Sequence, residues 1–302
     1  MKSANNTANI SSRSPHKAGI TEPTYIMPAE WEKHSATILA WPHNKEDWPD
    51  KFAPIPWVYG EIIRYLTKVE RVTLIVRNEK ERVQAIDVCT RCGADIDKID
   101  FHIIPTNRIW MRDSGPIIVK AQGLGRKAYE KENANNLSHK PQAISQNLAM
   151  LDFRFTAWAK YSNHKLDDKV PSALNEVWKM ERIQPMHKGK RVVLEGGSID
   201  VNGKGILLTT EECLLADVQV RNAGFTREDY EEVFAKYLGI KKTVWLGNGI
   251  VGDDTHGHVD DITSFVNSDT VVTVVEKDKS DANYSLLKDN VKRLKAAQLN
   301  IV

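Results

Sequence analysis

Apolar and polar positions along this chain follow two periods, and the switches between them mark its elements. Residues 35–41 read as a strand closed by Pro42. From Trp57 to Val69 the apolar residues recur at helical spacing, which predicts a helix buried along Val58, Ile62, Tyr65, Leu66 and Val69. Residues 72–76 form a short β-branched strand, and a helix over 79–92 is stopped by Gly93. Strands follow at 101–104, ended by Pro105, and at 116–119. Residues 123–147 are polar, rich in Asn, Lys and Gln, and predict an exposed excursion.

The second half continues the alternation. A helix is expected over 172–183, then a strand over 191–201, with Asn202-Gly203 as a hairpin signal before a strand at 206–210. Thr226 followed three residues on by Asp229 resembles a capping box and opens a helix to Leu238, with Gly239 as its stop. Strands at 243–246, 262–266 and 271–275 precede a last helix over 281–298, whose core side is Leu286, Leu287, Val291 and Leu294.

This order is a mixed α/β alternation in which one unit recurs: a helix, a strand, then a short run containing Asp, Glu or His. No identical sequence repeat accompanies it, so the repetition is architectural. The last helix is followed only by residues 299–302, which would leave it without a sheet partner. The last unit is therefore expected to be incomplete and the chain to be C-terminally shortened. Residues 1–24 read as a mobile polar tail and 25–302 as a single domain.

Composition narrows the functional classes. The 302 residues suffice for a large core, and 42 basic against 40 acidic residues, spread evenly, give no electrostatic case for nucleic acid or an anionic membrane. No apolar stretch is long enough to cross a bilayer, and the N-terminal residues lack the apolar stretch of a secretory signal. Three cysteines cannot all pair, and a chain of this size does not need disulfides, so a cytoplasmic protein is expected.

Three runs carry candidate chemistry. Trp110-Met111-Arg112-Asp113 offers a flat apolar wall and a carboxylate, against the plainer reading of a core Trp beside a surface Arg–Asp pair. In Leu194-Glu195-Gly196-Gly197-Ser198 a carboxylate ends an apolar run, a placement that asks for a partner if buried; the alternative is a β-bulge with an exposed Glu. The third run, Gly252 to Asp261, holds Asp253, Asp254, His256, His258, Asp260 and Asp261, and an extended segment would point His258 and Asp260 to one face. A solvated charged loop, a metal site and a proton-transfer site all remain open for it. The three runs together suit a guanidinium group, which is planar, cationic and a donor only: two aspartates could clamp it while a histidine, oriented by a glutamate, moves protons.

These residues resemble the agmatine deiminases, in the Porphyromonas-type arginine deiminase family of guanidine-modifying enzymes. The likeness runs in order through Met27-Pro28-Ala29-Glu30-Trp31, Leu39-Ala40-Trp41-Pro42, the run at Trp110, Leu194-Glu195-Gly196-Gly197-Ser198, Leu207-Leu208-Thr209-Thr210-Glu211-Glu212-Cys213-Leu214 and Gly257-His258-Val259-Asp260. It implies a pentein-type α/β propeller of about five pseudo-symmetric units. It also implies roles: Asp113 and Asp260 bind the guanidinium, His258 is general acid and base, Glu195 supports His258, and Trp110 lines the pocket. Asp254 takes the place of a family Glu near the substrate's far amine, one methylene shorter. The implied reaction is hydrolysis of agmatine to N-carbamoylputrescine and ammonia through a cysteine-bound intermediate, with no metal or organic cofactor. A homo-oligomer is compatible with the family.

The family's nucleophilic cysteine lies in a His-Cys run near the C-terminus, and no residues here match that run. Cys213 reads as a small core residue, and Cys89 and Cys92 as a lone pair on a helix, without the second pair that zinc would need. The expectation is thus a chain inactive by itself. An arginine or peptidyl-arginine deiminase, a metal-dependent hydrolase built on the aspartates and histidines of the third run, and a non-catalytic guanidine-binding protein are the rival readings.

Overall fold

The computed structural model describes residues 24–122 and 148–302, so the expected tail, apart from Thr24, and the excursion at 123–147 lie outside the described residues. Strand β1 (Thr24–Ile26) joins the edge of a sheet made later in the chain, antiparallel to its strand at 117–122. The first unit runs β2 (Ala36–Ala40), α1 (Ile55–Leu66), β3 (Arg71–Val76), α2 (Glu79–Cys92) and β4 (Ile99–Ile103). Its central strand β3 is parallel to both neighbours.

After a one-turn helix, α3 (Met111–Ser114), the second unit pairs β5 (Ile117–Gln122) antiparallel with β6 (Leu148–Leu151). It then crosses through α4 (Val170–Trp178) to β7 (Glu181–Ile183), parallel to β6. A small hairpin, β8 (Met186–His187) and β9 (Lys190–Arg191), leads to the third unit. There β10 (Asp200–Val201) pairs antiparallel with β11 (Ile206–Thr210), and the chain returns through α5 (Glu211–Leu215) and α6 (Arg227–Leu238) to β12 (Lys242–Leu246), parallel to β11. The fourth repeats the plan with β13 (Thr263–Phe265), β14 (Thr270–Thr273), α7 (Asn283–Ala296) and β15 (Asn300–Ile301). The recurring unit is an antiparallel strand pair, a helix, and a third strand parallel to the second.

Local signals explain where these elements stop. The Asn78 side chain accepts from Glu81 N at 3.0 Å to start α2, and Gly93, at φ 80°, ends it. Both halves of the Thr226–Asp229 capping box form, and Gly239 closes α6 at φ 71°. Neighbouring units share their cores. Val119, Leu151, Leu194, Leu207 and Phe234 join the second unit to the third, while Leu208, Leu246, Phe265, Leu287 and Leu294 join the third to the fourth. Each such side chain contributes about 1.5–3 kcal/mol by burial, so the loops between units are held by packed walls.

Four expectations are corrected. In α1 the buried face is Pro56, Gly60 and Ile63, whereas Val58, Ile62, Tyr65 and Val69 are exposed and Leu66 packs only partly. The reason is close helix contact: a Cβ on Gly60 would lie 2.6 Å from Cys92 Sγ, so α2 seats on a glycine rather than on the branched residues. The helix expected to reach residue 183 ends at Trp178, where Lys179 turns left-handed at φ 53° and β7 follows. The strand expected over 191–201 is broken by a 3-10 turn at Gly196–Ser198. The last helix does have a sheet partner, because β15 pairs with β14; its core side is Leu287, Asn290 and Leu294, with Leu286 and Val291 only partly buried. No helix among the described residues is long and apolar enough to cross a membrane.

Candidate active site

The break in the 191–201 strand creates the floor of the site. Glu195 is extended and fully buried, and the turn after it brings Gly197 beneath three other side chains. A Cβ built on Gly197 would stand 2.4 Å from His258 Nδ1 and 2.8 Å from both Asp113 Oδ1 and Asp260 Oδ2. Gly196 is equally constrained, since its Cβ would lie 2.1 Å from the Arg112 carbonyl oxygen. The paired glycines are thus required for close approach, here without left-handed φ.

Asp113 arrives on α3. Its Oδ1 accepts from Gly197 N at 3.0 Å and its Oδ2 from the Trp158 indole at 3.1 Å. Trp158 sits in a turn where Ala157, Trp158 and Ala159 all have positive φ, at 47°, 59° and 52°. Left-handed L-residues cost about 1–2 kcal/mol each, and the turn is held by the Gln219 side chain donating to the Trp158 carbonyl at 2.9 Å.

His258 is delivered by the loop between β12 and β13, which Asp253 organises from within. Its carboxylate accepts from Thr255 N at 2.8 Å, Gly257 N at 2.7 Å and His258 N at 3.2 Å. The segment is irregular rather than extended, yet His258 and Asp260 still meet, with Nδ1 3.8 Å from Asp260 Oδ1 and 3.8 Å from Asp113 Oδ1. Nε2 faces Glu195 Oε2 at 4.0 Å and has no hydrogen-bond partner among the described residues. Those separations exceed hydrogen-bond range, so the imidazole stands among three carboxylates without being tied to any.

Arg221 holds Glu195. Its Nε lies 3.2 Å from Oε1, while Nη2 and Nη1 donate to the carbonyls of Thr255 at 2.6 Å and Gln219 at 3.0 Å. From the open side Arg112 stands 3.8 Å from Asp260 and pairs with Glu30. Burial, with Glu195 and Asp260 adding repulsion, pushes the Asp113 carboxyl up to about 7. Desolvation pushes Asp260 up to about 7 as well, against the pull of Arg112. Burial and the Arg221 charge push His258 down to about 3, so the imidazole is neutral near pH 7. The arrangement therefore presents desolvated carboxyls and an unprotonated imidazole, acceptors that a donor-only cation would satisfy together.

The six residues expected at the site divide into two groups. His258, Glu195, Asp113 and Asp260 come together. Trp110 is half-exposed at the start of α3, its ring 5.8 Å from that of Trp48. Asp254 is exposed, paired with Lys160 and accepting from Tyr161 Oη at 2.8 Å. Against its partial burial, those contacts hold its carboxyl below the usual range. Sequence reasoning missed Arg221 and Trp158, whose partners Glu195 and Asp113 lie far away in sequence, and it named Asp253 without its role in organising its own loop.

The metal reading of the third run fares poorly, because Asp253 is committed to backbone N–H groups and Asp254 to Lys160. The set that does converge is Glu195, Cys213 and His258, with ligand atoms within 4.8 Å of one another. Its donors suit zinc, but the guanidinium of Arg221 on Glu195 opposes a dication there.

Comparison with known proteins identifies the family of the chain. The family model for Porphyromonas-type peptidyl-arginine deiminase matches residues 26–300. An agmatine deiminase of Stutzerimonas stutzeri (strain A1501) is 30% identical over 266 residues, covering 86% of this chain. This chain spans 63% of that relative's length. Among solved structures, an agmatine deiminase of C. jejuni with substrate bound matches 96% of this chain and 75% of its own, at TM-score 0.75 and 26% identity. The agmatine deiminase of Enterococcus faecalis matches 92% of this chain and 70% of its own, at TM-score 0.73 and 25% identity. The chain belongs to the Porphyromonas-type peptidyl-arginine deiminase family, and its mixed α/β units are those of that family's fold.

Proposed function

We propose that this chain forms the guanidine-recognising part of a deiminase acting on agmatine. The observation that carries this reading is the convergence of Asp113, Asp260 and His258 over Gly197. A guanidinium offers planar N–H donors and no acceptor, and two carboxylates accept from it in pairs. Asp113 accepts N–H groups from Gly197 and Trp158, and a guanidinium beside it offsets the burial that raises its carboxyl, drawing it into the ionised form. Neutral His258 takes and returns protons as ammonia leaves, and Glu195, fixed by Arg221, stabilises the imidazolium that forms. Asp254 receives the far amine once Lys160 swings away from it, and Trp110 covers the alkyl chain.

Hydrolysis of agmatine breaks a C–N bond of the guanidine, releases ammonia and leaves N-carbamoylputrescine. It needs a nucleophile on the central carbon, for which a thiolate is suited. Cys89 and Cys92 lie on α2 in the first unit. Cys213 is buried, and desolvation pushes its thiol far above the ordinary range. The 302 residues by themselves are therefore expected to bind agmatine without turning it over.

Calorimetric titration with agmatine, run beside an ammonia assay, tests both parts. Saturable binding that Asp113→Asn abolishes, with no ammonia released, is the expected result. Failure to bind agmatine sinks the guanidine reading. Ammonia release that Cys213→Ser removes would overturn the second part and make Cys213 the nucleophile.

A further inference from the structure

A separate cavity of about 350 Å³ opens between the second and third units. Its wall includes Arg154, Lys190, Arg191 and Arg221, with Asn222 and Phe225, and no carboxylate among the described residues lines it. In a chain whose charges nearly cancel, four cationic side chains around one cavity form a local excess.

Two of the four are neutralised. Arg191 meets Asp152 Oδ1 at 2.5 Å and Asp168 Oδ2 at 3.2 Å, and Arg221 is held by Glu195. Arg154 and Lys190 make no side-chain hydrogen bond or ion pair among the described residues. Their backbones are nonetheless fixed. Arg154 N donates to the Val192 carbonyl at 2.9 Å and bridges to Val193, while Lys190 pairs with His187 in the β8–β9 hairpin. Asn222 closes the wall, its side chain accepting from Val193 N at 2.9 Å and donating to the Val193 carbonyl at 2.8 Å.

We infer that this cavity is a binding site for a phosphate group. Two cations without an acidic partner among the described residues match a dianion, which phosphate approaches at neutral pH. The fork of Arg154 suits tetrahedral oxyanions, with Lys190 as a point charge beside it. Phe225 supplies an apolar surface on which the organic part of a phosphoester can lie. The site shares Arg221 with the support of Glu195 but takes a ligand of opposite charge, so its test is read apart from that of the guanidine pocket.

Titration with inorganic phosphate in low-chloride buffer tests the assignment, with acetate as a second titrant. Saturable binding of one phosphate is expected, weakened at least about tenfold in Arg154→Gln/Lys190→Gln and unchanged in Asp113→Asn. Both substituted side chains are exposed, and circular dichroism checks that the variant is folded. The inference is overturned if phosphate does not saturate by about 10 mM, if the folded double variant binds it as the wild type does, or if acetate binds as tightly.

Discussion

The guanidinium of Arg221 and the carboxylate of Glu195 form an ion pair at 3.2 Å in which neither side chain touches solvent. Such a pair is weak evidence for net stability, because desolvation offsets attraction, but removing one partner leaves a buried charge alone. Arg221→Met is therefore expected to destabilise the protein by about 3–5 kcal/mol, with Glu195→Met/Arg221→Met recovering most of the loss. Urea denaturation of the single and double variants checks this. Additive losses would show that the two residues act independently.

Gly197→Ala should separate binding from folding. One methyl group would enter the space where His258, Asp113 and Asp260 converge, at the distances given above. Strain of about 1–3 kcal/mol is expected in the melt, with agmatine binding lost in calorimetry. A variant that binds agmatine normally would mean these three groups do not close on the ligand.

The pH dependence follows from the carboxyls. Asp113 and Asp260 are pushed up to about 7 in the folded chain, so the native state holds protons that the unfolded chain has already released. Their contribution to stability is present below the ordinary carboxylate range and is lost as pH rises through about 7. A guanidinium selects their ionised forms, so agmatine binding should tighten as pH rises to about 7 and level off above it. Calorimetry across that window measures it, and affinity that is flat from acid to neutral pH would contradict the shifts.

Ala159 is exposed, with φ 52° in the turn that carries Trp158. Ala159→Gly should relieve left-handed strain of about 1–2 kcal/mol, less the entropy that glycine costs. A modest rise in melting temperature with agmatine binding kept is the expected outcome. A fall in melting temperature would mean the methyl group contributes packing that exceeds the strain.

Much of the fold was legible because its signals are local. The Asn202-Gly203 turn, the Thr226–Asp229 box and the glycine stops at 93 and 239 act within a few residues, and each stands where the sequence put it. The buried face of α1 was not legible, because it is set by contact with α2 through Gly60, outside any periodicity of α1 itself. The site divides in the same way. Asp113, Glu195, His258 and Asp260 stand out as chemistry-bearing residues in short runs. Arg221 lies in an unremarkable loop, and its partner is 26 positions away in sequence, so only folding discloses the pair. Trp158 was hidden for a similar reason, since its indole serves a carboxylate 45 residues earlier.

The turn at Ala157–Ala159 carries one more implication. Its backbone has the hand that D-residues prefer, so nothing in the local sequence favours it, and it exists because Gln219 and Asp113 grip Trp158 from other parts of the chain. The indole donor that Asp113 accepts from is thus a product of assembly rather than of its own segment. A chemically synthesised chain with D-alanine at 157 and 159 would keep that indole in place and carry its position as a built-in preference.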